Sequence, residues 1–133
     1  MIAKYGASHI VRGLSPTAVF DLGTLLPEIA ELEGGSSLSL MVMPGAESMI
    51  AGLNPTNWSY EPRPAGGGYI KGIKPLMDAA FDDKYTLIDL RALRPVAGMT
   101  RGELGDEVFR VVHGFDMLLI LSGSTPSGEL AHD

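Results

Sequence analysis

TRGELGDEVFRVVHGFDMLLIL, residues 100–121, decides the fold class. Thr100 and Glu103 form a T-x-x-E capping box, in which a hydroxyl and a carboxylate satisfy open N–H groups in a helix's first turn. Leu104, Val108 and Val111 recur on one helical face, and Gly114 is a natural stop. Met117–Leu121 is then an uninterrupted apolar run, as in a strand buried on both faces. A helix leading straight into a buried strand is the repeating step of an α/β architecture.

The same step recurs outward from this stretch. Tyr85–Leu90 reads as a strand with Asp82-Asp83 as the turn before it, and Lys74–Phe81 as a short helix. Leu38–Met43 is apolar except for Ser39, which suits another doubly buried strand, closed by Pro44-Gly45. Ser15 suits an N-cap and Pro16 a first helical position. Ala18, Leu22, Leu25, Ile29 and Leu32 then share a face, with a kink expected where the Pro27 ring crowds the Gly23 carbonyl. Gly34-Gly35 ends that helix. Met1–Tyr5 reads as a first strand feeding the turn Gly6-Ala7-Ser8-His9.

The order predicts a single α/β domain over 1–133: a mostly parallel sheet of about four strands flanked by helices, with right-handed crossovers. A Pro/Gly-rich loop is expected at 44–72 and a flexible tail at about 124–133. The first strand has no lead-in, so one of its edges is expected to lack a partner, as in half of a larger α/β unit. Trp58, Tyr60 and Tyr69 in the loop either staple it to the body or line a pocket.

Composition narrows the function. A net charge of -6 with scattered Lys and Arg argues against a nucleic-acid partner. The absence of cysteine removes thiolate chemistry and Cys-ligated zinc. No long apolar segment suggests a membrane span or signal peptide, so a cytoplasmic location is expected. Asn57-Trp58-Ser59 matches a glycosylation sequon, read as chance in the absence of an export signal.

In such sheets ligands gather beyond the carboxyl ends of strands, which singles out Gly6–Arg12, Met43–Ala46, Arg91–Pro95 and Ser122–Thr125. His9 follows a predicted strand directly, where a neutral imidazole can ligate a metal or act as acid or base; a hydrogen-bonded structural histidine fits the same position. Arg12 is close enough in sequence for its fork to hold a carboxylate or phosphate. His113 is expected to interact with a helix C-terminus, and Asp21 to sit early in a helix where negative charge is favoured. Asp89 and Arg91 point the same way along a strand, as an ion pair or as a carboxylate aimed at a site; Glu47 could reach a metal. His132 lies in the tail. Gly6–Ile10 misses the G-x-S-x-G elbow, Gly66–Gly72 misses the dinucleotide fingerprint, and no P-loop or H-E-x-x-H is present.

Lys4-Tyr5-Gly6-Ala7-Ser8-His9-Ile10-Val11-Arg12-Gly13 resembles the second G-x-x-H segment of the TraB/Tiki, ChaN and erythromycin-esterase-like superfamily. Leu14–Gly35 and the final strand-helix-strand are compatible with its C-terminal half. The resemblance implies an α/β fold in which a histidine from each half faces a shared cleft. His9 then corresponds to the second motif's histidine, as metal ligand or base, with Arg12 beside it. Only one G-x-x-H is present, so the other ligands would come from a missing N-terminal half or from a second copy in a homo-oligomer. Three expectations follow. The first is part of a metal-dependent hydrolase using zinc or manganese, with His9 and Arg12 acting on a small-molecule or peptide substrate. The second is a ChaN-type module that binds haem or a small anion. The third is a non-catalytic assembly domain.

Overall fold

The computed structural model describes residues 2, 4–15, 18–82 and 84–126, with the side chains of Tyr69 and Arg101 excepted. Its helices are α1 (Ala7–Ile10), α2 (Leu22–Leu32), α3 (Tyr69–Gly72), α4 (Lys74–Met77), α5 (Arg94–Met99), α6 (Arg101–Leu104) and α7 (Asp106–Gly114), with a 3-10 turn at Leu90–Leu93. Its strands are β1 (Leu40–Pro44), β2 (Met49–Asn54), β3 (Ser59–Pro64), β4 (Tyr85–Asp89) and β5 (Met117–Leu121).

The mostly parallel four-stranded sheet is not what forms. The strands make a mixed three-stranded sheet, ordered β1-β5-β4, and a separate two-stranded sheet of β2 and β3. Met117 N–H donates to Ser39 O and Gly45 N–H to Leu121 O, so β1 and β5 start and finish together and run parallel. Leu90 N–H donates to Asp116 O, placing the end of β4 beside the start of β5, so this pair is antiparallel. The connection explains the reversal. The helices between β4 and β5 are short pieces, and together they return the chain to the end of the sheet it left. The helix expected from Thr100 is divided at Gly105, whose φ of 83° is left-handed and suits glycine. The Thr100 hydroxyl donates to Val96 O one turn back.

Burial alternates along these strands, so neither Leu38–Met43 nor Met117–Leu121 is covered on both faces. Met41 is buried between exposed Leu40 and Val42, and Leu118 and Ile120 are buried with half-exposed neighbours. Among the described residues, no part of the expected opening strand Met1–Tyr5 belongs to the sheet. Met1 and Ala3 lie outside the described residues, while Ile2 and Lys4–Gly6 adopt no regular structure.

The chain divides into two compact units, Met1–Met41 with Leu87–Leu119, and Val42–Thr86 with Ile120–Asp133. In the first, α7 packs on α5 and the 3-10 turn, and Val108, Val111, Val112, Leu90, Ala97 and Phe115 are buried. In the second, Ile70, Ile73, Leu76 and Met77 are buried along α3 and α4. Much of the stretch expected as loop is the hairpin β2–β3, with Met49 opposite Pro64 and Asn54 opposite Ser59. Its prolines are tolerated because a two-stranded ribbon has edges on both sides, where a missing N–H donor costs nothing. Ser48 ties this unit at three places: its hydroxyl donates to Leu121 O and accepts from Ser124 N–H, and its carbonyl accepts from Ala65 N–H.

Helix α2 begins later than Ser15. Leu14 and Phe20 form an antiparallel bridge, Ser15 N–H donates to Val19 O, and Ala18 takes a φ of 59°, so this segment turns instead of coiling. Pro16 and Thr17 lie outside the described residues. Asp21 is the N-cap, accepting from Leu22 N–H. At the other end Gly34, at a φ of 74°, closes a Schellman motif: Gly35 N–H donates to Ala30 O and Gly34 N–H to Glu31 O. The face expected to be buried is open, with Leu25, Ile29 and Leu32 all exposed; α2 packs on α1 through the side bearing Gly23.

Candidate functional site

His9 sits in the single turn of α1, where its N–H donates to Gly6 O. Its Nδ1 lies 2.6 Å from Oδ2 of Asp21, the N-cap of α2. Both side chains remain reachable by solvent, His9 at 59% and Asp21 at 29% exposure. The His9 hydrogen bond, with help from Leu22 N–H, holds the Asp21 carboxyl below its ordinary value, so Asp21 is ionised across the neutral range. An ionised carboxylate on Nδ1 favours the tautomer in which that nitrogen carries the proton, leaving the Nε2 lone pair for chemistry.

In the sequence Asp21 is legible as a charge early in a helix and not as the partner of His9. The two are brought together by contacts that spacing alone does not reveal. Thr24, one turn into α2, accepts from Gly13 N–H at 3.1 Å and donates back to Gly13 O at 3.4 Å. Gly23 lies against the backbone of Ile10 and Val11.

Arg12 has a different partner. Its Nη1 and Nη2 donate to the two oxygens of Asp116 at 2.7 and 2.6 Å. Arg94 Nη2 reaches the same carboxylate at 2.9 Å, as does Ser39 N–H at 2.9 Å. Asp116 is buried, and four hydrogen bonds from three segments converge on it. The Arg12 hydrogen bonds come first, then Ser39 and Arg94, in holding its carboxyl far below the carboxylate range against the opposing effect of burial. The bidentate fork that sequence reasoning offered to a substrate is thus engaged within the protein. Asp116 appeared in no sequence reading; its signal was an acidic residue between Phe115 and Met117, at the lip of an apolar strand.

The other candidates are dispersed. Asp89 and Arg91 form an exposed ion pair with two short contacts, Nε to Oδ1 at 2.9 Å and Nη2 to Oδ2 at 2.7 Å. His113 lies in the last turn of α7 with its ring 4.2 Å from that of Phe109, and its Nε2 finds no hydrogen-bond partner among the described residues. Glu47 is exposed, Trp58 and Tyr60 project from the hairpin, and His132 lies outside the described residues. Among the described residues no three His, Asp or Glu side chains gather as a metal-binding group. A zinc site usually needs three protein ligands, so His9 and Asp21 do not make one by themselves. No helix among the described residues is long and apolar enough to cross a membrane. No family model, curated protein or solved structure matches the chain.

Proposed function

We propose that this chain carries the acid–base element of a hydrolase site, with Nε2 of His9 as the working atom and Asp21 as the carboxylate that orients it. The 2.6 Å contact between His9 Nδ1 and Asp21 carries this reading. A proton on Nδ1 leaves Nε2 free to take a proton from an attacking water and return it to a leaving group, while Asp21 stabilises the imidazolium formed between those steps. The resemblance of Lys4–Gly13 to a G-x-x-H segment of known hydrolases supports the reaction class. It also points to a divalent metal. The described residues fall short of such a site, so the role assigned to them is proton transfer alone.

The test uses the purified chain and p-nitrophenyl acetate, an activated ester that needs no specialised pocket. His9→Gln is expected to lower turnover by about 10²-fold or more, within the usual worth of a positioned general base. Asp21→Asn is expected to lower it less, because the imidazole survives but loses its orientation. Turnover equal in the wild type and His9→Gln, or no turnover above buffer, would overturn the reading. Elemental analysis and haem absorbance on the same sample decide whether zinc, manganese or haem accompanies His9.

A further inference from the structure

We infer that Gly23 positions the His9–Asp21 pair, because its missing side chain lets the first turn of α2 lie flush on the backbone that follows His9. A Cβ at Gly23 would overlap the Ile10 carbonyl carbon and oxygen and stand 2.5 Å from Val11 O. All three are backbone atoms, so no rotamer change relieves the overlap. Gly23 is not among the residues with positive φ, so space and not conformation requires glycine here. Gly23 is buried, Asp21 lies two residues before it, and Ile10 directly follows His9. Thr24 clamps the same seam through its two hydrogen bonds to Gly13. Any added thickness at Gly23 therefore moves the Asp21 carboxylate away from the imidazole.

Helix propensity works against this arrangement. Glycine favours the helical conformation less than alanine does. Gly23→Ala should therefore favour α2 as an isolated helix while opening the pair.

This inference rests on the reading of His9–Asp21 as the working pair, and the experiment separates the two. Nitrogen-15 NMR of the His9 ring reports which nitrogen carries the proton in the neutral imidazole. The wild type is expected to show the Nδ1–H form, and Gly23→Ala the Nε2–H form favoured by a free imidazole, with far-UV circular dichroism retained. Turnover of p-nitrophenyl acetate is expected to fall by up to ~10²-fold, the scale of a displacement of about 1 Å. Gly67→Ala, whose added Cβ meets nothing within 4 Å, is the control and should change neither signal. A Gly23→Ala protein that keeps the Nδ1–H form overturns the positioning role. A wild type already in the Nε2–H form overturns the pair itself. If Gly23→Ala does not fold, Thr24→Val decides: it loosens the same seam without adding bulk, and an unchanged ring signal there counts against the inference.

Discussion

Replacing Asp116 with Asn should destabilise the protein more than any exposed charge substitution. The carboxylate accepts from Arg12 at 2.7 and 2.6 Å, from Arg94 at 2.9 Å and from Ser39 N–H at 2.9 Å. Breaking a buried ion pair by removing one partner costs about 3–5 kcal/mol. Two features favour the lower end. Asn keeps one oxygen that can accept, and the two arginine side chains, 26% and 31% exposed, can turn partly toward water. About 3 kcal/mol is expected, which for a chain of this length corresponds to a Tm lower by roughly 10 °C. Urea unfolding followed by far-UV circular dichroism measures it; the single tryptophan, Trp58, is exposed in the hairpin and would report poorly. Asp89→Asn removes an exposed pair and should move the midpoint little. A loss below about 1 kcal/mol for Asp116→Asn would refute the reasoning, because that is the worth of a solvent-screened surface pair.

Other expectations follow from the same geometry. The Asp116 carboxyl titrates lower in the folded protein than the ordinary unfolded value of about 4, so its stabilisation is complete above that pH and is lost as pH falls below it; melting curves from pH 6 to pH 2 should show this loss, and Asp116→Asn should flatten it. A Cβ at Gly114 would overlap Val11 Cγ2, and β-branched Val11 is buried, so Gly114→Ala should cost about 1–3 kcal/mol in urea unfolding. Gly34→Ala should cost about 1 kcal/mol, because it forces a Cβ into the left-handed position of the α2 C-cap; an unchanged midpoint would contradict the Schellman geometry.

Particular residues show how far the sequence could be read. The runs ending at Met43, Leu90 and Leu121 were legible as strands because apolar continuity is a local signal. Their relative direction was not, since it depends on where the chain from Leu90 to Asp116 re-enters the sheet. The hairpin β2–β3 was hidden by Gly52, Pro62 and Pro64, which read as breakers unless the strands are known to form a two-stranded ribbon. At the candidate site His9 was visible by residue type, and Asp21 only as a favourable helix-start charge. Their meeting depends on the missing side chain of Gly23, and nothing local to position 23 marks a glycine as a point of close approach. Arg12 was legible as a fork for a carboxylate or phosphate, but its partner, the Asp116 carboxylate of this chain, was not.

The two side-chain contacts made by His9 and Arg12 differ in how much chain they must close. His9 meets Asp21 twelve positions away, whereas Arg12 meets Asp116 across 104. By loop-closure entropy the longer link costs about 2 kcal/mol more to form from an open chain. The His9–Asp21 corner can therefore assemble while most of the polypeptide is still unordered, and the Arg12–Asp116 knot is expected to close later. A late-forming contact is absent from the transition state, so losing it should accelerate unfolding and leave the folding rate nearly unchanged. The protein's lifetime in the folded state would then be governed by the knot at Asp116, and the order in which it acquires shape by the short helical corner beside it.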